Sequence, residues 1–278
     1  MTSAVESKST SLAELNRVFW DANADTFFEK DWLKVFAEQL TSFLRSQAPN
    51  LGIRSRDAAN PVRLLDYACA YGGASWALAP FVDEILGIDI APAIVDRFND
   101  CAARLGYDPS QARAIAGDLA TDESLAAPAL FDVVIISMAL HHLDDSRAML
   151  LRLAERVKPG GVLIAVEGVD ADRQLEVTPR QDIREAPGVH HGHDHGHHHA
   201  HHAARSGAHK SFEQEVLNTT NHQVFDEDLF REWFRDAGCD EGGFVYLVNE
   251  EVSHIPEEYS RRPGGLNRNL VIAASVKR

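Results

Sequence analysis

The sequence contains few cysteines and no pair that suggests a disulfide framework. Cys69, Cys101 and Cys239 are spread over 278 residues, and no two of them form a Cys-x-x-Cys motif. An odd number of widely spaced thiols is typical of reduced proteins in the cytoplasm. We therefore predict a cytoplasmic location and cysteines that are not paired.

Long apolar runs are missing as well. Residues 133–136 form an apolar run of strand length, whereas a membrane-spanning helix needs about 20 apolar residues. Residues 1–11 are polar and lack the basic-then-apolar order of a secretory leader. The sequence thus predicts a disordered tail over residues 1–11 and no membrane insertion.

Positive charge is scarce. The chain has 27 Lys and Arg against 42 Asp and Glu, a formal net charge of −15, and no basic cluster. A protein that grips a phosphate backbone needs a basic face that releases counterions. Nucleic acid is therefore a poor candidate partner, and we expect a small neutral or cationic molecule, or another protein.

What is present is the composition of a globular protein. Hydrophobic residues make up 45% and charged residues 25% of the chain, whose length suits one large α/β domain. Apolar and aromatic residues recur at helical spacing over residues 12–44, which predicts two or three amphipathic N-terminal helices.

Further along, apolar runs alternate with helical stretches, a pattern typical of a parallel sheet covered by helices on both faces. After these, a C-terminal helix precedes two extended segments. The predicted strands are Val62–Tyr67, Glu84–Ile88, Ala112–Ala116, Phe131–Ser137, Gly161–Glu167, Phe244–Val252 and Leu270–Val276. The predicted helices after the N-terminal ones are Ser75–Phe81, Pro92–Leu105, Asp145–Val157 and Asp226–Ala237.

Small and polar residues follow the first four strands. In an open parallel sheet, ligands bind outside the carboxyl ends of the strands, so these residues are candidates for a binding site. An acid at position 89, about twenty residues past the small-residue turn, suits hydrogen bonds from ribose hydroxyls. The residue-level alternatives are an ordinary strand–helix turn and a solvated loop acid. The candidates are Asp66, Ala68, Cys69, Ala70, Gly72, Asp89, Ile90, Gly117, Asp118, Leu119, Ser137, Met138, Ala139, His141 and His142.

Some of these residues suit specific contacts. Asp118 would accept from an adenine amine beside Leu119, and Met138 and Ala139 would pack on the adenine or ribose. A nicotinamide-dependent reductase shares an acid after the second strand. Its G-x-G-x-x-G motif and its Tyr-x-x-x-Lys pair are absent from this sequence.

Taken together, these pieces resemble the class I S-adenosylmethionine-dependent methyltransferases, in particular the small-molecule group similar to the ubiquinone and menaquinone pathway enzymes. The resemblance runs from about Phe19 to the C-terminus. It implies a Rossmann-like three-layer sandwich with a mostly parallel seven-stranded sheet, whose last strand is antiparallel. It also implies S-adenosylmethionine as cofactor, Phe27 beside its methionine moiety, and in-line methyl transfer to a small-molecule acceptor.

The resemblance further implies one domain over residues 12–278. Its parts would be an N-terminal helical lid at 12–60, a cofactor-binding core at 61–168, an insertion at 169–222, and a C-terminal helix with the last two strands at 223–278. A neutral imidazole of His141 or His142 is a candidate general base. The alternative for both rings is a structural turn.

One departure from the family pattern concerns the cofactor loop. Relatives have glycine where this chain has Ala68 and Ala70, while Gly72 matches. Ala68 costs little if its φ is negative, and the Cβ of Ala70 would narrow the approach to the cofactor. These alanines support an alternative hypothesis, a catalytically silent cofactor-binding or scaffold partner of another methyltransferase.

Nine histidines crowd residues 190–202 within the insertion. They predict affinity for Ni²⁺ or Zn²⁺, non-catalytic because the tract is rich in Gly and Ala rather than held on rigid elements. Three hypotheses remain: a solvated insertion, a substrate lid, and a metal sensor or store, the last making the chain a metal-binding protein. The candidate ligands are His190, His191, His193, His195, His197, His198, His199, His201 and His202.

Overall fold

The computed structural model describes residues 11–57, 59–125, 129–171, 218–221, 224–260 and 262–278. Its centre is a seven-stranded sheet in the order β3-β2-β1-β4-β5-β7-β6. The first five strands are parallel, and β7 is antiparallel to both of its neighbours, β5 and β6. The predicted architecture is thus confirmed. The strands are β1 (Arg63–Tyr67), β2 (Glu84–Asp89), β3 (Ala112–Ala116), β4 (Phe131–Ser137), β5 (Val157–Asp170), β6 (Val245–Ile255) and β7 (Leu266–Val276).

Helices cover both faces of this sheet. In β4, Val133 and Ile135 point into one apolar core, and Val134 and Ile136 point into the other. This alternation with a period of two explains why a continuous apolar run forms a central strand. The helices are α1 (Leu12–Asn23), α2 (Asp31–Gln47), α3 (Gly73–Leu78), α4 (Pro92–Arg104), α5 (Ser146–Ala154), α6 (Glu227–Asp236) and α7 (Glu257–Ser260).

The two cores involve different helices. One packs α2, α3 and α4 against the sheet, and the other packs α5 and α6. Helix starts follow local capping chemistry: side chains of Asp145 and Asp226 accept hydrogen bonds from the backbone N–H three residues on, at 2.9 Å in both cases. Ser11 caps α1 in the same way. Ser11 therefore belongs to the folded part, although the predicted disordered tail includes it.

Four strands are longer than predicted: β2 by the single residue Asp89, and β5, β6 and β7 by several residues. β5 continues to Asp170, so residues 169 and 170 belong to the sheet rather than to the predicted insertion. β6 continues to Ile255, and β7 begins at Leu266 instead of Leu270. The extensions of β6 and β7 were missed because polar residues such as Ser253, Arg268 and Asn269 interrupt the apolar pattern of the sequence. The helix predicted over Asp145–Val157 ends at Ala154, because β5 begins at Val157.

Two predictions fall on residues that the structure does not describe. These are the tail over residues 1–10 and the histidine tract over residues 190–202. Within the described residues, no helix combines the length and apolar character needed to cross a membrane.

Candidate functional site

A cavity of 680 Å³ opens at the carboxyl ends of the parallel strands, beneath α1 and α2. Ligand pockets in proteins measure about 300 to 1,000 Å³, so this cavity has room for a cofactor and a small second molecule. Both candidate bases, His141 and His142, line it. The lining residues among the predicted cofactor contacts are Phe27, Asp66, Ala68, Cys69, Ala70, Asp89, Ile90, Asp118, Ser137, Met138 and Ala139.

Three predicted contacts do not line the cavity. Gly72 caps α3 with φ +93°, and a Cβ on it would lie 2.4 Å from the ring of Trp76. A Cβ on Gly117 would lie 2.5 Å from Leu125. Leu119 packs against the core formed with α5 and α6. The two glycines therefore allow close packing of their loops against Trp76 and Leu125, and Leu119 contributes to the apolar core.

The loop after β1 holds two alanines in a conformation that suits glycine. Ala68 has φ 55° and Ala70 has φ 47°, and Met138 after β4 has φ 55°. Ala68 was expected to cost little conformational energy only if its φ is negative, and its φ is positive. A left-handed conformation costs an L-residue roughly 1 to 2 kcal/mol. All three strained residues line the same cavity, and such strain clusters at functional sites.

Asp66 lies beneath this loop and is almost fully buried. Its carboxylate accepts hydrogen bonds from Ser75 Oγ at 2.6 Å and from the Ser75 backbone N–H at 3.1 Å. Burial raises the pKa of Asp66 to about 7, against the two hydrogen bonds from Ser75, and the charge of Asp89 adds to the rise. Asp66 therefore ties the end of β1 to the first turn of α3.

Asp89 ends β2 and faces the cavity. Its carboxylate accepts from the N–H of Ala70 at 3.1 Å and from the N–H of Ala91 at 3.1 Å. Burial raises the pKa of Asp89 to about 6, although backbone hydrogen bonds oppose the rise, so the group is ionised at pH 7. Each oxygen keeps a lone pair for a further donor.

Asp118 follows β3 and is held from two sides. Its Oδ1 accepts from the hydroxyl of Tyr67 at 2.8 Å and from the N–H of Ala120 at 2.8 Å. Burial raises the pKa of Tyr67, and the charge of Asp118 adds to the rise, so the hydroxyl stays protonated and donates. No sequence pattern marked Tyr67, which lies at the end of β1 and donates to Asp118.

His141 is oriented by a buried carboxylate. Its Nδ1 lies 2.8 Å from Oε2 of Glu167, a residue of β5 that is 1% exposed. The other Glu167 oxygen accepts from the N–H of Leu140 at 2.7 Å. An ionised carboxylate only accepts, so this contact favours the tautomer of the neutral ring in which Nδ1 carries the proton and Nε2 keeps the lone pair. Glu167 is the last residue of a predicted strand. An acid in this otherwise apolar stretch was the one sign in the sequence that it has a functional role.

His142 is held differently. Its Nδ1 donates to the carbonyl of Thr219 at 2.9 Å, and its ring meets Trp20 edge to face at 5.7 Å. Burial lowers the pKa of His142 to about 3, and the charge of His141 adds to the fall. His142 is therefore neutral and a much weaker base than a free imidazole.

Asn16 of α1 joins three parts of the site. Its Nδ2 donates to the carbonyls of His142 at 3.0 Å and Thr219 at 2.9 Å, and its Oδ1 accepts from Trp20 Nε1 at 3.0 Å. The residues before α6 are thereby fixed to α1 and to the loop after β4. No sequence pattern marked this asparagine.

The part of the cavity bounded by α2, β6 and β7 contains further residues that the sequence did not indicate. Arg268 lies on β7, and its guanidinium carbon is 4.5 Å from the ring centre of Phe36 on α2. Trp32 packs beside Tyr259 with ring centres 5.2 Å apart. In sequence, Arg268 sits in a polar stretch after Pro263, Gly264 and Gly265 that looks like a turn, so its position inside the cavity was not foreseeable.

The comparisons with known proteins agree on one family. A family model described as a methyltransferase domain matches residues 31–240, so the chain belongs to this family. This match and the sheet order place the chain among the class I S-adenosylmethionine-dependent methyltransferases.

Part of the chain is similar in sequence to other methyltransferases. An uncharacterized methyltransferase of Schizosaccharomyces pombe is 29% identical over 133 residues, 46% of this chain and 47% of that protein. A ubiquinone biosynthesis O-methyltransferase of Cereibacter sphaeroides is 32% identical over 103 residues, 37% of this chain and 40% of that protein. The matches thus span about half or less of these relatives.

Solved structures share the fold. Magnesium protoporphyrin IX methyltransferase from Synechocystis, with bound S-adenosylmethionine, has a TM-score of 0.55 at 15% identity and covers 100% of each chain. A putative methyltransferase from Bacillus halodurans has a TM-score of 0.57 at 13% identity, covering 85% of this chain and 99% of that one.

Neither alternative hypothesis gains support from these findings. The relatives are described as methyltransferases, which offers nothing for a silent scaffold. Across the described part of the chain, no group of three or more His, Cys, Asp or Glu could hold a metal ion. The histidine tract lies outside that part.

Proposed function

We propose that this enzyme transfers the methyl group of S-adenosylmethionine to a small-molecule acceptor in the 680 Å³ cavity. One observation carries the proposal. The cavity brings the ionised Asp89 at the end of β2 together with the His141–Glu167 pair after β4 and on β5. The first group suits an adenosine, and the second suits the deprotonation of an acceptor.

The residues present fit the cofactor. Asp89 is an acceptor-only group with lone pairs left for ribose hydroxyls, and Asp118 has a carboxylate oxygen for the adenine amine. Met138, Ala139 and Ile90 offer apolar surface beside them. The loop at Ala68 and Ala70 brings backbone close to the cavity, where the carboxypropyl part would lie.

The remaining chemistry belongs to the chain itself. When bound, S-adenosylmethionine supplies a methyl group activated by a sulfonium charge. His141 Nε2 takes the proton from an O–H or N–H of the acceptor, and Glu167 holds the ring and stabilises the imidazolium that results. His142 stays neutral and positions the loop through Thr219. α1 and α2 exclude water from above.

Titration calorimetry with S-adenosylmethionine and S-adenosylhomocysteine tests this proposal. We expect both to bind, and Asp89→Asn to raise both dissociation constants about 10- to 100-fold, since hydrogen bonds to charged groups contribute about 1.5 to 3 kcal/mol. Asp100→Asn, on the exposed face of α4, is the matched control and should bind like the parent. A folded protein that binds neither compound would refute the proposed function.

A further inference from the structure

Two buried hydrogen-bond donors in the cavity have no acceptor. Among the described residues, Arg268 Nε and Trp32 Nε1 are the buried side-chain nitrogen or oxygen atoms without a hydrogen-bond partner. Both residues line the cavity. An unmade buried hydrogen bond costs about 1 to 3 kcal/mol, so native structures rarely leave one without a reason.

The neighbours of Arg268 in the sheet do not satisfy it. Asp170 lies opposite on β5, but its carboxylate binds Arg262 Nη1 at 2.5 Å. Ser253 lies opposite on β6, but its hydroxyl donates to Gln39 at 2.6 Å. Within the described chain, no ion pair or hydrogen bond involves the Arg268 guanidinium.

The buried carboxylate nearest in the sheet is also occupied. Glu167 of β5 uses one oxygen for His141 and the other for the N–H of Leu140. Its charge raises the pKa of Arg268, but burial dominates and lowers that pKa to about 10, so the guanidinium stays cationic at neutral pH. The cavity thus contains a cation that has no ion-pair partner among the described residues.

The backbone makes room for this arrangement. Gly168 on β5 has no side chain, and a Cβ there would lie 2.7 Å from Arg268 Cδ and 3.2 Å from Nε. The guanidinium can therefore cross over Gly168 and stack on Phe36 of α2. An arginine with a fixed stacking partner is a preorganised donor fork for a planar anion.

The walls around the two donors are apolar and aromatic. Phe36, Tyr259 and Ile255 line the cavity with Trp32 and Arg268. Flat rings and a planar cation suit a flat apolar body that ends in a carboxylate. We propose that the methyl acceptor is a small apolar carboxylic acid, whose carboxylate binds the Arg268 guanidinium and Trp32 Nε1. This inference rests on the proposed function, because it assigns the acceptor of the same cavity.

An anionic acceptor is not the ligand that the net charge of the chain predicts, which is a neutral or cationic molecule. A net charge of −15 disfavours anions at long range, but a buried site responds to the few charges that face it. Arg268 lines the cavity in the part bounded by α2, β6 and β7. The cofactor carboxylate is the other anion that it could meet, and the experiment separates the two.

The test measures acid preference directly. Protein saturated with S-adenosylhomocysteine is titrated with three matched pairs: benzoate and benzamide, indole-3-acetate and indole-3-acetamide, octanoate and octanamide. We expect at least one acid to bind about 10-fold or more tightly than its amide, the size of one charge-assisted hydrogen bond. Arg268→Met should abolish that preference and leave the dissociation constant of S-adenosylhomocysteine unchanged. Arg104→Met, which removes an exposed arginine at the end of α4 and outside the cavity, should keep the preference.

The outcomes are separable. No acid preference in the parent, or the same preference in Arg268→Met, overturns the inference. Weaker S-adenosylhomocysteine binding in Arg268→Met also overturns it, because Arg268 would then hold the cofactor. If S-adenosylhomocysteine does not bind the parent at all, the proposed function fails, and the acid titration of the free protein still reports on Arg268.

Two further measurements guard against a folding artefact. An unpaired buried cation costs stability, so Arg268→Met should melt at the same temperature as the parent or higher. A large fall would show a structural role and count against the inference. Gly168→Ala, which displaces the guanidinium without removing it, should weaken binding of the preferred acid. Gly242→Ala, where a Cβ would have no contact closer than 3.7 Å, is its control.

Discussion

The two ends of the cavity have opposite hydrogen-bonding character. At the end formed by β1, β2 and β3, the carboxylates of Asp66, Asp89 and Asp118 are acceptors that the chain itself already supplies with donors. At the end formed by α2, β6 and β7, Arg268 and Trp32 offer donors that the described residues leave without acceptors. The first end, where we propose that the cofactor binds, is called the cofactor end below. The second, where we propose that the acceptor binds, is called the acceptor end, and it leaves its polar groups open to a ligand.

The difference also appears in where the structural cost lies. The cofactor end carries backbone strain at Ala68, Ala70 and Met138. The acceptor end carries two unsatisfied side chains, Trp32 on α2 and Arg268 on β7. His141 and Glu167 stand between the two ends, where one polar pair can act on a molecule bound at either side.

The largest expected effect of a substitution concerns the His141–Glu167 pair between the two ends of the cavity. Glu167→Gln keeps an oxygen for the N–H of Leu140 but presents an amide to His141 Nδ1, which favours the wrong tautomer. We expect kcat to fall about 100- to 1,000-fold, in the range that general bases contribute, with cofactor affinity unchanged. Steady-state kinetics and calorimetry on the same preparation measure the two effects.

The exposed Glu155→Gln at the end of α5 is the control for this variant, with parental kinetics expected. If kcat survives in Glu167→Gln while His142→Asn abolishes it, the roles of the two histidines are reversed. The cofactor end and the acceptor end would then meet at His142 instead.

A smaller effect concerns the buried acid of the cofactor end. Asp66 has a folded pKa of about 7, above its unfolded value, so its protonation stabilises the fold at low pH. That contribution is fully present below the unfolded pKa of about 4 and is lost as pH rises through about 7. Asp66→Asn should therefore stabilise the protein by about 1 to 2 kcal/mol near pH 8, since one pKa unit corresponds to about 1.4 kcal/mol.

Near pH 4.5 the gain from Asp66→Asn should nearly vanish, because both proteins are then neutral at this position. Thermal melts at the two pH values, taken as differences between variant and parent, give the answer. An equal difference at both pH values would mean that Asp66 keeps an ordinary pKa and that the cofactor end is not strained by buried charge.

The smallest expected effect concerns the backbone of the same end. Ala68→Gly and Ala70→Gly should each raise stability by up to about 1 kcal/mol, because the cost of a left-handed alanine exceeds the extra entropy of glycine in the unfolded chain. Ala74→Gly inside α3 is the matched control and should lower stability by about 1 kcal/mol. Denaturant titration resolves these signs, and a loss in all three variants would contradict the strain.

The sequence predicted the cofactor end far better than the acceptor end, for a physical reason. Loops after parallel strands converge at one edge, so Asp66, Asp89 and Asp118 could be assigned to one site from their order alone. Their contacts with the cofactor remain predictions. Arg268 and Trp32 could not be assigned in this way, because their position depends on how α2 packs on a long antiparallel hairpin.

The boundaries show the same limit. The apolar runs of β1 to β5 marked the core strands, while the polar ends of β6 and β7 read as loops. The resemblance marked Ala68 and Ala70 as glycine positions, but the sign of their φ could not be predicted from alanine itself. What could be anticipated was therefore the periodic and sequential part of the fold, and what was missed depends on packing between distant segments.

The carboxamide of Asn16 links α1 to two other segments at the entrance of the cavity. Because it binds the carbonyls of His142 and Thr219 together, α1 cannot lift without releasing the residues that lead into α6. If ligands enter and leave beneath α1, we therefore expect one cooperative opening rather than two independent ones. If methyl transfer is faster than that opening, product release limits the turnover rate. The rate at which the two hydrogen bonds of Asn16 break would then determine kcat.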